Sequence, residues 1–257
     1  MGNTYRRVIP SEETLQRERY THHAILRIMK AVNNREKIII YGKGNREGIC
    51  SIAILILVLR YFNADFDYFL IPRRGNRESL IADSKTHLDF FNPGVMLSLN
   101  ETFTKSVYNT LLGYDTDLIS IGHGDETNEY SFSSEGDSIL KNVFIFAKEL
   151  SINYDTKNIF RYIDLVYLGA STEDISTDQI LNMGLERLKV STNYGIQSLK
   201  KLNPCDENGL RELITPRDNP GSMVDNARII IELLTTEDRY RAEQIAKYLI
   251  NSRSRSI

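Results

Sequence analysis

Residues 37–62 read KIIIYGKGNREGICSIAILILVLRYF, and this stretch decides the fold class. The β-branched run at 37–41 stops at a glycine-rich segment, which predicts a buried strand followed by a loop. The apolar run at 49–62 predicts a helix buried on most sides, and its 14 residues are too few to cross a bilayer. A strand, a loop and a buried helix in this order open a βαβ unit.

Three further apolar runs repeat the pattern. FDYFLIP at 66–72, GVMLSL at 94–99 and DLISIG at 117–122 each predict a strand, with helix-compatible stretches before the last two. KNVFIFAKEL at 141–150 is ambiguous, but its polar flanks and its Ala-Lys-Glu-Leu ending favour a helix. The alternation predicts an α/β fold with a mostly parallel sheet flanked by helices.

Helical patterns dominate both ends of the chain. Ser11 and the glutamates after it are typical of a helix N-terminus, so we expect a helix from there to about Val32. After about Asp155 we expect helices near 180–189, 195–202, 222–234 and 238–252. The expected organisation is an α/β domain over residues 1–202 and a helical C-terminal segment, 203–257, packed on the same domain.

Composition limits the classes of function. Of the 257 residues, 41% are hydrophobic and 26% charged, as in an ordinary globular protein, and the net charge of −2 gives no overall attraction to nucleic acid. Cys50 and Cys205 lie far apart in unlike contexts, which favours neither a disulfide framework nor a cysteine zinc site. The polar N-terminus lacks the apolar core of a secretory signal, so we expect a cytoplasmic protein.

The loops after the predicted strands are where a ligand would bind in an open parallel sheet. They read GKGNREG, RRGNRE, NETFT and HGDETNE. The first is not a Walker motif, because Lys43 precedes the wrong glycine and no Lys-Ser/Thr pair opens the helix. We interpret its glycines as turn chemistry rather than as a nucleotide-binding loop.

Taken in order, these segments resemble the DHH phosphoesterases, and among them the RecJ-type single-strand nucleases. That family has a D-x-D-x-D-G loop after its first strand, where this chain has K-G-N-R-E-G. Lys43, Asn45 and Glu47 stand at the three acidic positions, so one acid is retained. The family's aspartate after the third strand falls on or beside Asn100.

The later motifs of the family also have counterparts. Its D-H-H signature aligns with Gly122, His123 and Gly124, which leaves one histidine. Its G-T-x-A-D segment corresponds to residues 169–173, which end in Glu173. Its N-R-x-L-V-x-x-G-L-x-x-L and P-R-I-N-A-x-G-R stretches resemble QILNMGLERLK and PRDNPGS, so six motifs in the correct order cover nearly the whole chain.

A basic loop follows the second predicted strand. The family's I-P-x-R is matched there by Ile-Pro followed by Arg73 or Arg74, and Arg77 adds a further charge. These arginines could line a groove that follows a nucleic-acid backbone, but a short basic loop is more often only solvated. We therefore expect weak contact with single-stranded DNA at most.

The departures from the family decide the functional prediction. The resemblance implies two divalent ions held by aspartates and histidines, which activate a water and clamp phosphate oxygens. The retained candidates are Glu47, His123 and Glu173, and Lys43 places a positive charge where the first carboxylate belongs. Hard cations need several converging carboxylates, and a like charge at short range costs several kcal/mol even at an effective dielectric of ~20. We therefore expect no metal, no other cofactor and no catalysis.

The resemblance also carries expectations about organisation and partners. RecJ-type nucleases continue into a second domain, DHHA1, which we expect to be absent. A non-catalytic branch of the family joins GINS to the MCM ring in the archaeal and eukaryotic replicative helicase. A short, ligand-poor chain resembles the archaeal form of that subunit, which implies a scaffold that binds GINS, with MCM as a second partner and no membrane.

Two surfaces are candidates for partner contact, and two other functions stay open. An exposed sheet edge would present unpaired strand groups, and the last helix would present apolar groups around Tyr240, Ile245, Tyr248 and Leu249. The alternatives to a scaffold are a residual metal-dependent phosphoesterase or single-strand-specific exonuclease, and a free-standing nucleic-acid-binding module. The scarcity of carboxylates favours the scaffold over the enzyme, and the net charge of −2 weighs against the module.

Overall fold

The computed structural model describes residues 12–71, 77–99, 113–122, 130–133, 138–153, 159–171, 178–217 and 223–254. Its central sheet consists of β1 (Ile38–Lys43), β2 (Phe66–Ile71), β3 (Val95–Ser98), β4 (Asp117–Ile121) and β5 (Ser131–Phe132). All neighbouring strands run parallel, in the order β2-β1-β3-β4-β5. The predicted α/β class with a mostly parallel sheet is confirmed.

Helices flank this sheet and form the C-terminal part of the chain. In the described ranges they are α1 (Glu12–Asn34), α2 (Arg46–Tyr61), α3 (Arg77–Phe91), α4 (Ile139–Asn153), α5 (Ile163–Gly169), α6 (Gln179–Lys189), α7 (Tyr194–Leu202), α8 (Glu207–Leu213), α9 (Met223–Thr235) and α10 (Arg239–Ser254). The ambiguous run at 141–150 is thus a helix, as predicted. No helix in these ranges is long and apolar enough to cross a membrane.

The sheet separates two hydrophobic clusters, because side chains of a strand alternate between its faces. Ile38 and Ile40 of β1 join the main core with α1, α2 and α4, whereas Ile39 and Tyr41 face a smaller cluster. Helix α2 is buried along nearly its whole length, which explains its continuous apolar sequence. Helix α9 packs on α2 and α10 packs on α7, so the C-terminal helices share the main core.

The turn between β1 and α2 is shorter than the sequence predicted. Strand β1 continues to Lys43 and α2 begins at Arg46, rather than near residue 49. Asn45 is the reason: its backbone is extended (φ −93°, ψ 171°) and its side chain caps the helix. Strand β5 was not predicted, because two residues are too few to show an alternating pattern.

Candidate functional site

The turn between β1 and α2 lies at the carboxyl edge of the sheet, where parallel folds bind ligands. Its shape depends on Gly48, because a Cβ at this position would lie 2.1 Å from the carbonyl oxygen of Lys43. The Asn45 side-chain oxygen accepts a hydrogen bond from the Gly48 amide at 2.9 Å. The backbone at Gly48 therefore packs directly against the Lys43 carbonyl, which leaves no room for a side chain. The Asn45 side-chain oxygen is already used in capping α2.

Glu47, the one acid retained in the turn, points at the start of α4. Its Oε1 accepts long hydrogen bonds from the Leu140 amide at 3.4 Å and from the Ser138 hydroxyl at 3.3 Å. A carboxylate is favourable at a helix N-terminus, where free amides carry partial positive charge. Glu47 thus joins the first turn of the sheet to the helix that follows β5.

Arg46 ties this turn to two distant segments, and the sequence analysis did not single it out. Its Nη2 donates to the carbonyl of Ala170 at 3.0 Å, just after α5. Its Nη1 makes a long hydrogen bond, 3.5 Å, to the hydroxyl of Thr215, just after α8. One guanidinium therefore links the segments that resemble the family's D-x-D-x-D-G and G-T-x-A-D motifs to the residue just before the segment that resembles P-R-I-N.

Thr215 also forms hydrogen bonds with two further arginines. Its backbone carbonyl accepts a hydrogen bond from Arg253 Nη2 at 2.6 Å, and its hydroxyl donates to the carbonyl of Arg211 at 2.7 Å. Burial lowers the pKa of Arg253, and the charge of Arg217 lowers it further. The surroundings of Thr215 are consequently rich in cations.

Gly122 follows β4 and matches the first position of the D-H-H signature. Its φ is +95°, a conformation that residues with a side chain rarely adopt. Its amide donates to the carbonyl of Phe132 at 2.8 Å, which fixes β4 against β5. An added Cβ would also approach Ile139 Cγ1 to 3.1 Å, so this backbone does not suit an aspartate here.

Several predicted positions lie outside the residues that the structure describes. They are Arg73, Arg74, Asn100, His123, Gly124 and Glu173. Arg77 is the first residue of α3. Their roles as remnants of a metal site or as DNA contacts stay predictions.

The polar side chains described at the carboxyl edge do not fit a pair of divalent ions. Of the three matched positions in the β1–α2 turn, only Glu47 is a carboxylate, and it lies beside the cations Lys43 and Arg46. Over the described ranges, no group of three or more histidine, cysteine, aspartate or glutamate side chains converges to hold a metal. Ions of this kind prefer several oxygen ligands, which these residues do not offer.

The partner-contact residues predicted on the last helix divide between two faces. Tyr240 and Tyr248 are 73% and 53% exposed, so they are available to a partner. Ile245 and Leu249 are only 6% and 2% exposed and belong to the main core. Their predicted role in partner contact is corrected: helical periodicity turns these two residues toward the core, against which α10 packs.

The fold is that of a RecJ-like DHH domain, which comparison with solved structures shows. RecJ from Thermus thermophilus in complex with Mn²⁺ superposes with a TM-score of 0.74 at 18% identity, over 92% of this chain and 38% of that one. A DHH-domain member of the s1p family of ribosomal proteins gives a TM-score of 0.59 at 15% identity, over 99% of this chain and 64% of that one.

A curated relative agrees with this assignment. Over 252 residues the chain is 23% identical to the single-stranded-DNA-specific exonuclease RecJ of Bacillus subtilis (strain 168). The match covers 86% of this chain and 30% of that protein, so the chain spans about a third of the relative's length. No family model matches the chain.

Proposed function

We propose that the chain is a non-catalytic RecJ-like scaffold subunit of the archaeal replicative DNA helicase assembly, which binds GINS and has MCM as a second partner. The observation that carries the proposal is the position of the Arg46 guanidinium. It lies in the turn after β1 and donates hydrogen bonds to the Ala170 carbonyl and the Thr215 hydroxyl. A fixed cation disfavours a second cation close by. The same arginine links the turn after β1 to the segments at Ala170 and Thr215 by its own hydrogen bonds.

The other polar groups of the turn support a structural use of the site. Asn45 caps α2, and Glu47 caps α4. Gly122 has a backbone conformation that an aspartate could adopt only with strain. These positions stabilise the chain's own helices and strands, so they leave few groups for hydrolysis. The resulting fold supports a protein-binding surface.

The surface available to a partner includes the β2 edge of the described sheet and one face of α10. Among the described strands, β2 and β5 lie at the edges, but β5 is buried, whereas β2 is mostly half-buried. An unpaired strand edge can accept a strand from another chain. Tyr240 and Tyr248 are large, rigid and exposed, which are properties of residues that contribute much to interfaces. A stable interface would bury about 1,200–2,000 Å² in total.

Co-expression with a GINS-type complex followed by size-exclusion chromatography tests the proposal. We expect co-elution at micromolar concentration that survives physiological salt. Separate elution of the two components under these conditions would remove the scaffold function. A residual metal-dependent nuclease is the alternative, and it is tested separately by hydrolysis of single-stranded DNA.

A further inference from the structure

A groove lies between the edge strand β2 and helix α9. Its volume is about 360 Å³, near the lower end of the range of ligand pockets, about 300–1,000 Å³. Phe66 and Tyr68 of β2 line it together with Arg228 and Glu232 of α9, and Arg60 lies at the end of α2. A groove of this size accepts a few side chains of a partner rather than a folded domain.

The backbone of β2 is free on the side that faces away from β1. Among the described strands β2 pairs with β1 alone. The Ile38 amide donates to the Asp65 carbonyl at 2.9 Å, and along a parallel ladder the residues of one strand bond to the neighbour alternately. Phe66, Tyr68 and Leu70 therefore direct their N–H and C=O groups toward the open edge. These groups can accept a further strand.

The two carboxylates that line the groove are already paired with cations from outside it. Lys37 Nζ lies 2.6 Å from Asp67 Oδ2, and Arg241 Nε lies 2.7 Å from Glu232 Oε1. Their negative charge is therefore compensated before any ligand binds.

The two arginines that line the groove have no such counterion in the described part of the chain. Arg60 Nη1 donates to the backbone carbonyl of Thr235 at 2.6 Å, and Arg228 is exposed without an ion pair. Burial raises the pKa of the half-buried Tyr68, and the charge of Arg228 opposes this shift, so the two side chains lie close together. The groove thus presents uncompensated positive charge beside an open strand edge.

We propose that this groove binds an extended acidic segment of a protein partner, which adds to β2 as a further strand and places a carboxylate against Arg228. Strand addition supplies affinity through the main chain, and side-chain pockets supply specificity. A guanidinium and a carboxylate form strong, charge-assisted hydrogen bonds. Asp67 and Glu232 would repel the closely spaced phosphates of a nucleic acid, so the groove favours a peptide. The inference rests on the proposed function in that both assign the chain a protein partner, but its test needs no GINS-type complex.

Selection of random ten-residue peptides, displayed on phage, against the immobilised full chain tests the groove. We expect the enriched peptides to combine β-branched residues with an aspartate or glutamate. Calorimetry with a synthetic copy of the most enriched peptide then gives its Kd. Replacement of the acidic residue of the peptide by its amide should weaken binding at least about tenfold, and Arg228→Glu should weaken it at least as much.

Arg239→Glu is the matched control, because it makes the same change at an exposed arginine that begins α10 and does not line the groove. It should bind the peptide as the unmodified chain does. The amide version of the peptide tests the same contact without altering the protein, so the result does not depend on the folding of Arg228→Glu.

Amide hydrogen exchange, followed by NMR, tests the strand addition. The peptide should slow exchange at Phe66, Tyr68 and Leu70, whereas the amides of Asp67 and Phe69 already bond to β1 and serve as internal controls. The proposal is overturned if no peptide is enriched, if the enriched peptides lack acidic residues, or if Arg228→Glu binds as Arg239→Glu does. Unchanged exchange at the outward amides, or displacement of the peptide by a ten-nucleotide oligothymidine, would also overturn it. Such a failure with intact GINS co-elution would leave the scaffold function standing, and the reverse result would remove that function alone.

Discussion

The Arg46 guanidinium lies 3.0 Å from the carbonyl oxygen of Ala170, 124 residues further along the chain. This contact joins the turn after β1 to the residue that follows α5. The Arg46 side chain therefore connects two segments that are far apart in the sequence.

The first prediction concerns this link. Arg46→Lys should reduce the free energy of unfolding by about 1–3 kcal/mol, because an ammonium cannot reach two acceptors in the geometry of a guanidinium. Urea denaturation at constant m-value measures the loss. Lys43→Gln is the control: Lys43 is exposed, so its replacement should change stability by less than about 0.5 kcal/mol. Equal effects of the two substitutions would show that the link does not stabilise the fold.

The second prediction concerns the D-H-H position after β4. Gly122→Asp restores the family's residue, yet it should destabilise the protein by about 1–3 kcal/mol because φ is +95° there. Gly122→Ala should behave similarly, which would separate the backbone cause from the added charge. Gly113→Ala is a suitable control, since nothing lies within 4 Å of a Cβ at that position. A neutral or stabilising effect of Gly122→Asp, measured by chemical denaturation, would contradict the assigned conformation.

The strands and the buried helix were predictable because their signals are local. The run of isoleucines before Gly42 and the apolar sequence of α2 are continuous apolar segments, which predict buried elements directly. The start of α2 was predicted too late because the capping residue Asn45 looks like part of a loop in the sequence. Ile245 and Leu249 were assigned to a surface although their spacing of four residues, with Ala242 and Ala246 nearby, is typical of an inward helix face.

The candidate site was predictable only in part. Matching of motifs located Lys43, Asn45 and Glu47 at the carboxyl edge of the sheet. The role of Arg46 depends on contacts between residues 124 and 169 positions apart in the sequence. No local pattern encodes such contacts, because they arise from the packing of α5 and α8 near the β1–α2 turn.

The third prediction is a pH dependence that originates at His87. Its Nδ1 lies 2.7 Å from the Tyr41 hydroxyl and its ring stacks on Phe69 at 3.6 Å. Burial lowers the pKa of His87 below its usual 6.5, against an opposing effect of Asp83. The unfolded chain therefore binds the proton more tightly. Stability should be full above pH 6.5 and should fall as the pH drops from there through the folded pKa.

Urea denaturation between about pH 7.5 and 5 checks this dependence. His87→Gln should unfold with a smaller loss of free energy on acidification than the unmodified chain, because glutamine does not titrate. His22→Gln serves as the control, since His22 is exposed on α1. Identical pH profiles for all three proteins would exclude His87 as the titrating group.

The fourth prediction is the absence of hydrolysis. The purified chain should not cleave single-stranded DNA or a dinucleotide in millimolar Mn²⁺ or Mg²⁺, because the turn after β1 offers one carboxylate beside two cations. Glu47→Ala and His123→Ala, prepared in the same way, control for contaminating nucleases. Metal-dependent turnover that disappears in either variant would establish the alternative function and remove the scaffold proposal.

The fifth prediction locates the partner surface on α10. Tyr240→Arg and Tyr248→Arg should each weaken the complex with a GINS-type partner at least about tenfold, because exposed tyrosines contribute binding energy when they are desolvated at an interface centre. Tyr61→Arg is the matched control, because Tyr61 is 65% exposed at the end of α2. Calorimetry measures the affinity of each variant for the partner, and circular dichroism confirms that each variant is folded. If only Tyr61→Arg weakens binding, the contact lies at the end of α2 and not on α10.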